Sequence, residues 1–382
     1  MNRNSMTRRM LLAGAAALTL AAGQAWAQAA PDVDAIHRRA LVLDSHVDIA
    51  LPNISPRYLA ADGKSKSDLA KLRAGGVDAI VYAVTSNTGA RTREGYAAGA
   101  AEAAERLAAI LAVARDHPDQ AQIAYSAADV RRIVDTGRVA IILGFLNAYS
   151  LGEDVNGLDD LYAKGVRVVG LAHAGNTAFA DSSRPQAGAG EEHGGLSALG
   201  RAAVTRMNDL GELIDVSQLS HQAVLQTVAQ SRTPVVASHA AVLTLADTLR
   251  GMNDAEIDAI GAKGGVIQIT AFNRYLRPKP ADYDARLLAL RKTYGLPESG
   301  TSYQGSDDLP EPKRSGFYRD FYALEEQAGV KGLVDHIEYV AKRIGVDHVG
   351  VGTDFNRGRC RRLPGRESGR KRHARTAGAG PY

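Results

Sequence analysis

Between residues 41 and 355, short β-branched or apolar runs alternate with segments of helical periodicity, the pattern that parallel strands joined by crossover helices produce. Eight runs read as strands: 41–48, 79–85, 139–145, 167–172, 213–218, 235–239, 265–271 and 348–354. Several are apolar at nearly every position, as expected when helices cover the sheet outside and side chains fill it inside. Eight such units favour a closed (β/α)8 barrel of the TIM type, an α/β fold, over an open sheet. Helical spacing is legible at 91–117, 197–210, 221–231, 253–263 and 333–344. Residues 277–313 break it with Pro278, Pro280, Pro297, Pro310 and Pro312, and read as a long insertion or loop after the seventh of these strands. Loops on that end of a barrel carry function, so this one is expected to cover the site.

Catalytic groups of such a barrel stand at the C-terminal ends of several strands. The first strand closes Asp44-Ser45-His46-Val47-Asp48, and residues two apart on a strand point the same way. His46 and Asp48 therefore offer one nitrogen and one oxygen to a divalent cation at the mouth. A histidine and an aspartate so spaced recur by chance, and a lone histidine is most often a satisfied core residue. Their company decides it: other strands close Ala172-His173, Ser238-His239 and Thr353-Asp354.

Both termini stand apart from this pattern. Residues 1–27 read as an export signal: Arg3, Arg8 and Arg9, an apolar run over 11–22 too short to span a membrane, then Ala25-Trp26-Ala27. Arg8-Arg9 resembles a twin-arginine signal, which implies an exported, periplasmic or secreted bacterial protein. Residues 28–356 form the catalytic domain. Residues 357–382 hold eight arginines and one lysine against one glutamate and have no helical face. The formal net charge of +4 comes from the two ends, and 28–356 alone sum to −7. That acidic body argues against a nucleic-acid partner. The single cysteine, Cys360, excludes a disulfide framework.

The motif 44–48, the run Leu171-Ala172-His173-Ala174-Gly175-Asn176 with Ala180-Asp181-Ser182, the run Ala237-Ser238-His239, and Asp335-His336-Ile337-Glu338 through Gly350-Val351-Gly352-Thr353-Asp354-Phe355 together resemble the renal (membrane) dipeptidase family of metallopeptidases. The resemblance spans 41–355 in the right order. It implies two zinc ions at the barrel mouth, a bridging hydroxide and cleavage of a dipeptide's one peptide bond. It makes His46 and Asp48 ligands of one metal and His239 a ligand of the other. It gives His173 the oxyanion, Arg250 and Tyr275 the substrate's C-terminal carboxylate, and Asp354 the proton transfers. A metal lowers the pKa of bound water, a carboxylate carries protons and an arginine matches a carboxylate bidentately, so these roles suit the residue types.

Two ligand positions depart from the family pattern: Leu146 stands where a metal-bridging Glu is expected, and Gln218 where a histidine is expected. One Zn2+ rather than two is the resulting expectation, with Glu153 or Asp154 as candidates to replace the missing carboxylate. Two alternatives stay open: a catalytically silent barrel that binds dipeptide-like ligands, and a mononuclear amidohydrolase acting on another amide or lactone. Expected partners are a dipeptide substrate and, left open, a second copy of the chain in a homodimer; no transmembrane segment is expected. The tail 357–382 replaces the closing helix of the barrel and reads as the product of a shifted frame, or alternatively as a basic arm for anionic surfaces. A barrel without that helix is expected to be poorly soluble or protease-sensitive.

Overall fold

The computed structural model describes residues 32–356 apart from 53, 55–57, 187–188, 299–302 and 325. The expected export signal over 1–27 and the tail 357–382, including the place of any closing helix, lie outside the described residues. The chain divides into two units, 1–40 and 41–382. In the first, the described part is the helix Val33–Arg39, started by the Asp32 carboxylate accepting from the Ala35 amide at 3.0 Å.

The second unit is a parallel barrel. Its described strands are β1 (Leu43–Asp48), β2 (Ala79–Thr85), β3 (Ala121–Ala124), β4 (Val139–Leu146), β5 (Val166–Gly170), β6 (Leu213–Asp215), β7 (Val236–Val242), β8 (Gly251–Met252), β9 (Val266–Thr270) and β10 (Val349–Gly352). The order β1-β2-β4-β5-β6-β7-β9-β10 runs around the barrel. Closure comes just past β10, where Val47 bridges Phe355 in parallel, the Asp354 amide donates to the His46 carbonyl at 3.0 Å and the Asp48 amide to the Phe355 carbonyl at 3.2 Å. Each of the eight expected runs overlaps one of these eight strands, and the (β/α)8 expectation holds. Every residue of β2 is buried, which is why its run reads as unbroken apolar sequence.

Two strands escaped the sequence reading. β3 pairs with the first half of β4, Ala121 against Val139, while β5 takes the second half from Leu143 onward. The two-residue β8 adds to the end of β7. The insertion is also more ordered than its prolines suggest. It carries the helix Tyr283–Thr293, which shares a separate apolar cluster of Tyr283, Leu296, Phe317, Tyr318, Phe321 and Leu324 with the helix Lys313–Tyr322 that follows the insertion. Its Pro312 sits at a helix N-cap, where the missing N–H costs nothing.

Glycines of β10 account for the Gly-Val-Gly motif. A Cβ on Gly352 would stand 2.2 Å from the Ser238 carbonyl oxygen and 2.5 Å from Ser45 Oγ, and one on Gly350 would stand 2.0 Å from Gln268 Oε1. Polar groups of β1, β7 and β9 occupy the space that side chains there would need. Among the described residues no helix is long and apolar enough to cross a membrane.

Candidate active site

β1 and β7 each carry one extra residue relative to their neighbours: β1 between Asp44 and Val47, against β2, and β7 between Ala237 and Ala240, against β9. Bulges of this kind re-aim side chains beside active sites. Here they present His46 and His239, whose rings stack at 3.8 Å between centroids. The Ser45 hydroxyl ties the bulges together by donating to the Ser238 carbonyl at 2.6 Å.

Past β10 the chain enters the left-handed region at Asp354, φ 51°, a conformation aspartate tolerates better than most residues. It is held there from beneath. Asp44 accepts from the Thr353 amide at 2.9 Å and from its hydroxyl at 2.6 Å, while burial pushes the Asp44 carboxyl above its ordinary pKa against the pull of those bonds. Asn356, also left-handed at φ 68°, donates to the Asp48 carbonyl at 2.5 Å and accepts from the Lys66 amide at 3.1 Å. As a result the ligand atoms of His46, Asp48 and Asp354, all buried, lie within 4.8 Å of one another, with His46 Nε2 4.0 Å from Asp354 Oδ1. One nitrogen and two carboxylates at that separation suit a single divalent cation with coordination positions to spare.

His239 has a different setting. It groups with His46 and Asp215 within the same span. The Asp215 carboxylate, however, already accepts from the Ser217 amide (3.0 Å), the Ser217 hydroxyl (2.5 Å), the Ser238 amide (3.0 Å) and the Ser238 hydroxyl (2.5 Å). With its proton given to Asp215, Ser238 Oγ accepts from His239 Nδ1–H at 2.8 Å. That relay leaves His239 Nε2 as a bare acceptor, and it meets the Gln218 Nε2 amide at 2.5 Å. Gln218 Oε1 is buried without a hydrogen-bond partner among the described residues. Asp215 and Ser238 were missed by sequence reasoning; the one available signal was a carboxylate inside an apolar strand, which must find partners once buried.

The mouth opens into a cavity of 820 Å³ whose wall includes His46, Leu146, His173, Gln218, Arg250, Tyr275 and Asp354. Asp48 and His239 lie behind it, buried. His173 follows β5 in a braced loop where the Ser182 hydroxyl donates to its carbonyl, and the Ser183 amide donates to the Gln218 carbonyl at 3.0 Å. Arg250 immediately precedes β8, so the unforeseen strand is what holds it at the mouth. The residue is 4% exposed and its guanidinium donates to Ser183 Oγ at 3.1 Å. Burial pushes its pKa below the usual value; its hydrogen-bond partner Tyr275, from the helix Asn273–Leu276, opposes that and Arg184 reinforces it. The insertion supplies Tyr303 to the wall, and the helix Lys313–Tyr322 that follows it adds Phe321 and Tyr322. Leu146, the last residue of β4, is buried against Gly170. Glu153 and Asp154 are exposed and absent from the cavity wall; Asp154 instead accepts from the Asn156 amide at 2.9 Å. They do not replace the carboxylate that position 146 lacks, because the turn after the 3-10 helix Ala148–Leu151 carries them outward.

Comparison with known proteins bears on this arrangement. The profile of the membrane dipeptidases (peptidase family M19) matches residues 31–364. The dipeptidase tcpJ of Claviceps purpurea is 30% identical over 240 residues, covering 63% of this chain and 45% of its own length. The chain spans about half the length of the first curated relatives it matches. Among solved structures, the probable dipeptidase PvdM from Pseudomonas aeruginosa superposes with a TM-score of 0.72 at 38% identity, over 85% of this chain and 86% of that one. A metallopeptidase from Rhodobacter sphaeroides, liganded with a phosphinate mimic of the dipeptide L-Ala-D-Ala, shares the fold with a TM-score of 0.62 at 20% identity, over 83% and 86%.

Proposed function

Because the chain belongs to the membrane dipeptidase family, we propose that it is a zinc-dependent dipeptidase whose substrate lies in the cavity at the barrel mouth. The observation that carries this reading is the convergence of His46, Asp48 and Asp354, of which His46 and Asp354 line the cavity together with Arg250 and Tyr275. The donor set fits the ion: His46, Asp48 and Asp354 would hold it, and zinc there would lower the pKa of a bound water toward about 7.

The remaining roles belong to the chain's own side chains. Arg250, desolvated and braced by Ser183 and Tyr275, takes the C-terminal carboxylate of the dipeptide and fixes its register. His173 donates to the oxygen of the scissile carbonyl as negative charge gathers there. Asp354 has two carboxylate oxygens, so one can face the cation while the other accepts the water proton and returns it to the leaving amine. Tyr303, Phe321 and Tyr322 on the wall exclude bulk water, which strengthens each of these interactions.

Incubating the purified chain with a panel of L,L- and L,D-dipeptides tests the reading. Free amino acids should appear with added Zn2+ and stop with a chelator; release that ignores the chelator would refute it. Leu146 on the cavity wall favours a second reading, a silent barrel that binds dipeptides without cleaving them. Calorimetric binding with no turnover would select that one. We also propose export by the twin-arginine route, supported by Arg8-Arg9 and the run that follows. Periplasmic recovery should be lost on Arg8→Lys with Arg9→Lys, and unchanged recovery would contradict it.

A further inference from the structure

We propose that this barrel holds one divalent cation, at His46, Asp48 and Asp354, and that the hydrogen bond between Gln218 and His239 stands in place of a second. The inference rests on the reading of the mouth as a metal site, and concerns how many ions that site takes.

Charge balance is the first argument. Asp48 and Asp354 supply two negative charges, enough to neutralise one dication. A second ion beside it, about 4 Å away in a two-metal site, needs a further anion between the two. Leu146, which lines the same cavity, has no donor atom to offer one. The third carboxylate in range, Asp215, already serves four donors from Ser217 and Ser238. Arg250 adds a buried positive charge within electrostatic reach of Asp354. Two dications would leave the pocket with a net positive charge in a poorly solvated setting, which is costly.

Ligand chemistry is the second argument. The relay from Asp215 through Ser238 fixes the His239 tautomer and leaves Nε2 an unprotonated acceptor facing the Gln218 amide. In a metal site that lone pair would bind the ion. Here the Gln218 amide stands 2.5 Å from it and donates to it. An amide is also a far weaker zinc ligand than imidazole. His239 is therefore a hydrogen-bond acceptor that keeps Gln218 and the β6 end in place, and its ring packs on His46 as a support.

Metal content by mass spectrometry and calorimetric Zn2+ titration of the metal-free full chain test this without reference to activity. One tight equivalent is expected. Asp48→Asn should weaken it by at least 100-fold, whereas Gln218→Ala should leave both stoichiometry and affinity within about threefold. Leu146→Glu combined with Gln218→His should take up a second equivalent, and circular dichroism would establish that each variant is folded. Two tight equivalents in the unaltered chain would overturn the inference, as would none, or one that survives Asp48→Asn but is lost in His239→Ala. A chain that binds one equivalent and cleaves no dipeptide would overturn the functional reading while leaving this inference standing.

Discussion

Replacing Arg250 with Met separates the recognition of the substrate's carboxylate from the rest of the machinery. Arg250 is 4% exposed, one Nη donates to Ser183 Oγ at 3.1 Å, and Nε is buried with no partner among the described residues. A dipeptide carboxylate entering the cavity would meet a desolvated cation with donor capacity to spare. Removing one member of such a buried, hydrogen-bonded charge pair costs about 2–5 kcal/mol. That corresponds to a fall in kcat/KM of roughly 30-fold to a few thousand-fold. The interaction exists equally in the ground state and the transition state, so KM should carry most of the change. Arg250→Lys keeps the charge but loses the planar fork and should fall between. The assay compares each variant on a dipeptide and on the same dipeptide with its C-terminus amidated. The unaltered enzyme should strongly prefer the free acid, and Arg250→Met should be nearly indifferent. An equal loss on both substrates would mean that Arg250 only braces the fold, and undiminished preference for the acid would refute its assignment.

Other consequences concern stability. Glu212 is buried with both carboxylate oxygens unpartnered among the described residues, and burial pushes its pKa up from 4.5 to about 8. The folded chain thus holds a proton the unfolded chain releases, so stability is full below about pH 4.5 and declines as pH rises through about 8; Glu212→Gln should raise Tm more at pH 8.5 than at pH 5, and an equal gain at both would contradict this. His336 is the opposite case: it accepts from the Val242 amide at 2.9 Å on Nδ1, and burial lowers its pKa. Its contribution is present above an unfolded value of about 6.5 and lost as pH falls below it, so His336→Gln should flatten the fall in Tm between pH 7.5 and 5.5; an unaltered slope would count against it. Gly352→Ala places a Cβ 2.2 Å from the Ser238 carbonyl oxygen and should cost about 1–3 kcal/mol or more by urea unfolding, with no loss being the contrary result.

What the sequence disclosed and what it withheld divide along physical lines. Strands buried on both faces write continuous apolar runs, and for that reason β2, β4 and β7 were legible. β3 has four residues and β8 two, too few for any period to register, yet β8 seats Arg250. Prolines concealed the helices in and after the insertion, since Pro280 lies ahead of the helix Tyr283–Thr293 and Pro312 is the N-cap of Lys313–Tyr322, and neither interrupts a helix. At the site, His46, Asp48, His173 and Asp354 were legible because the fold sends strand ends to one place. The Asp215–Ser238–His239 relay was not, because it depends on which hydroxyl proton goes where across two strands. Leu146 and Gln218 were visible as departures, but only the structure shows that Glu153 and Asp154 stay off the cavity wall and do not make good the loss.

The most direct test of the central claim, that this mouth stabilises the tetrahedral state of dipeptide hydrolysis, is the affinity of a phosphinate dipeptide mimic relative to the dipeptide it imitates. An enzyme binds such an analogue at least about 100-fold more tightly than substrate. Calorimetry on the zinc-loaded chain should give at least that ratio, and removal of the metal should abolish it. Equal affinity for mimic and dipeptide, with or without zinc, would contradict the account and identify a barrel that binds its ligand without acting on it.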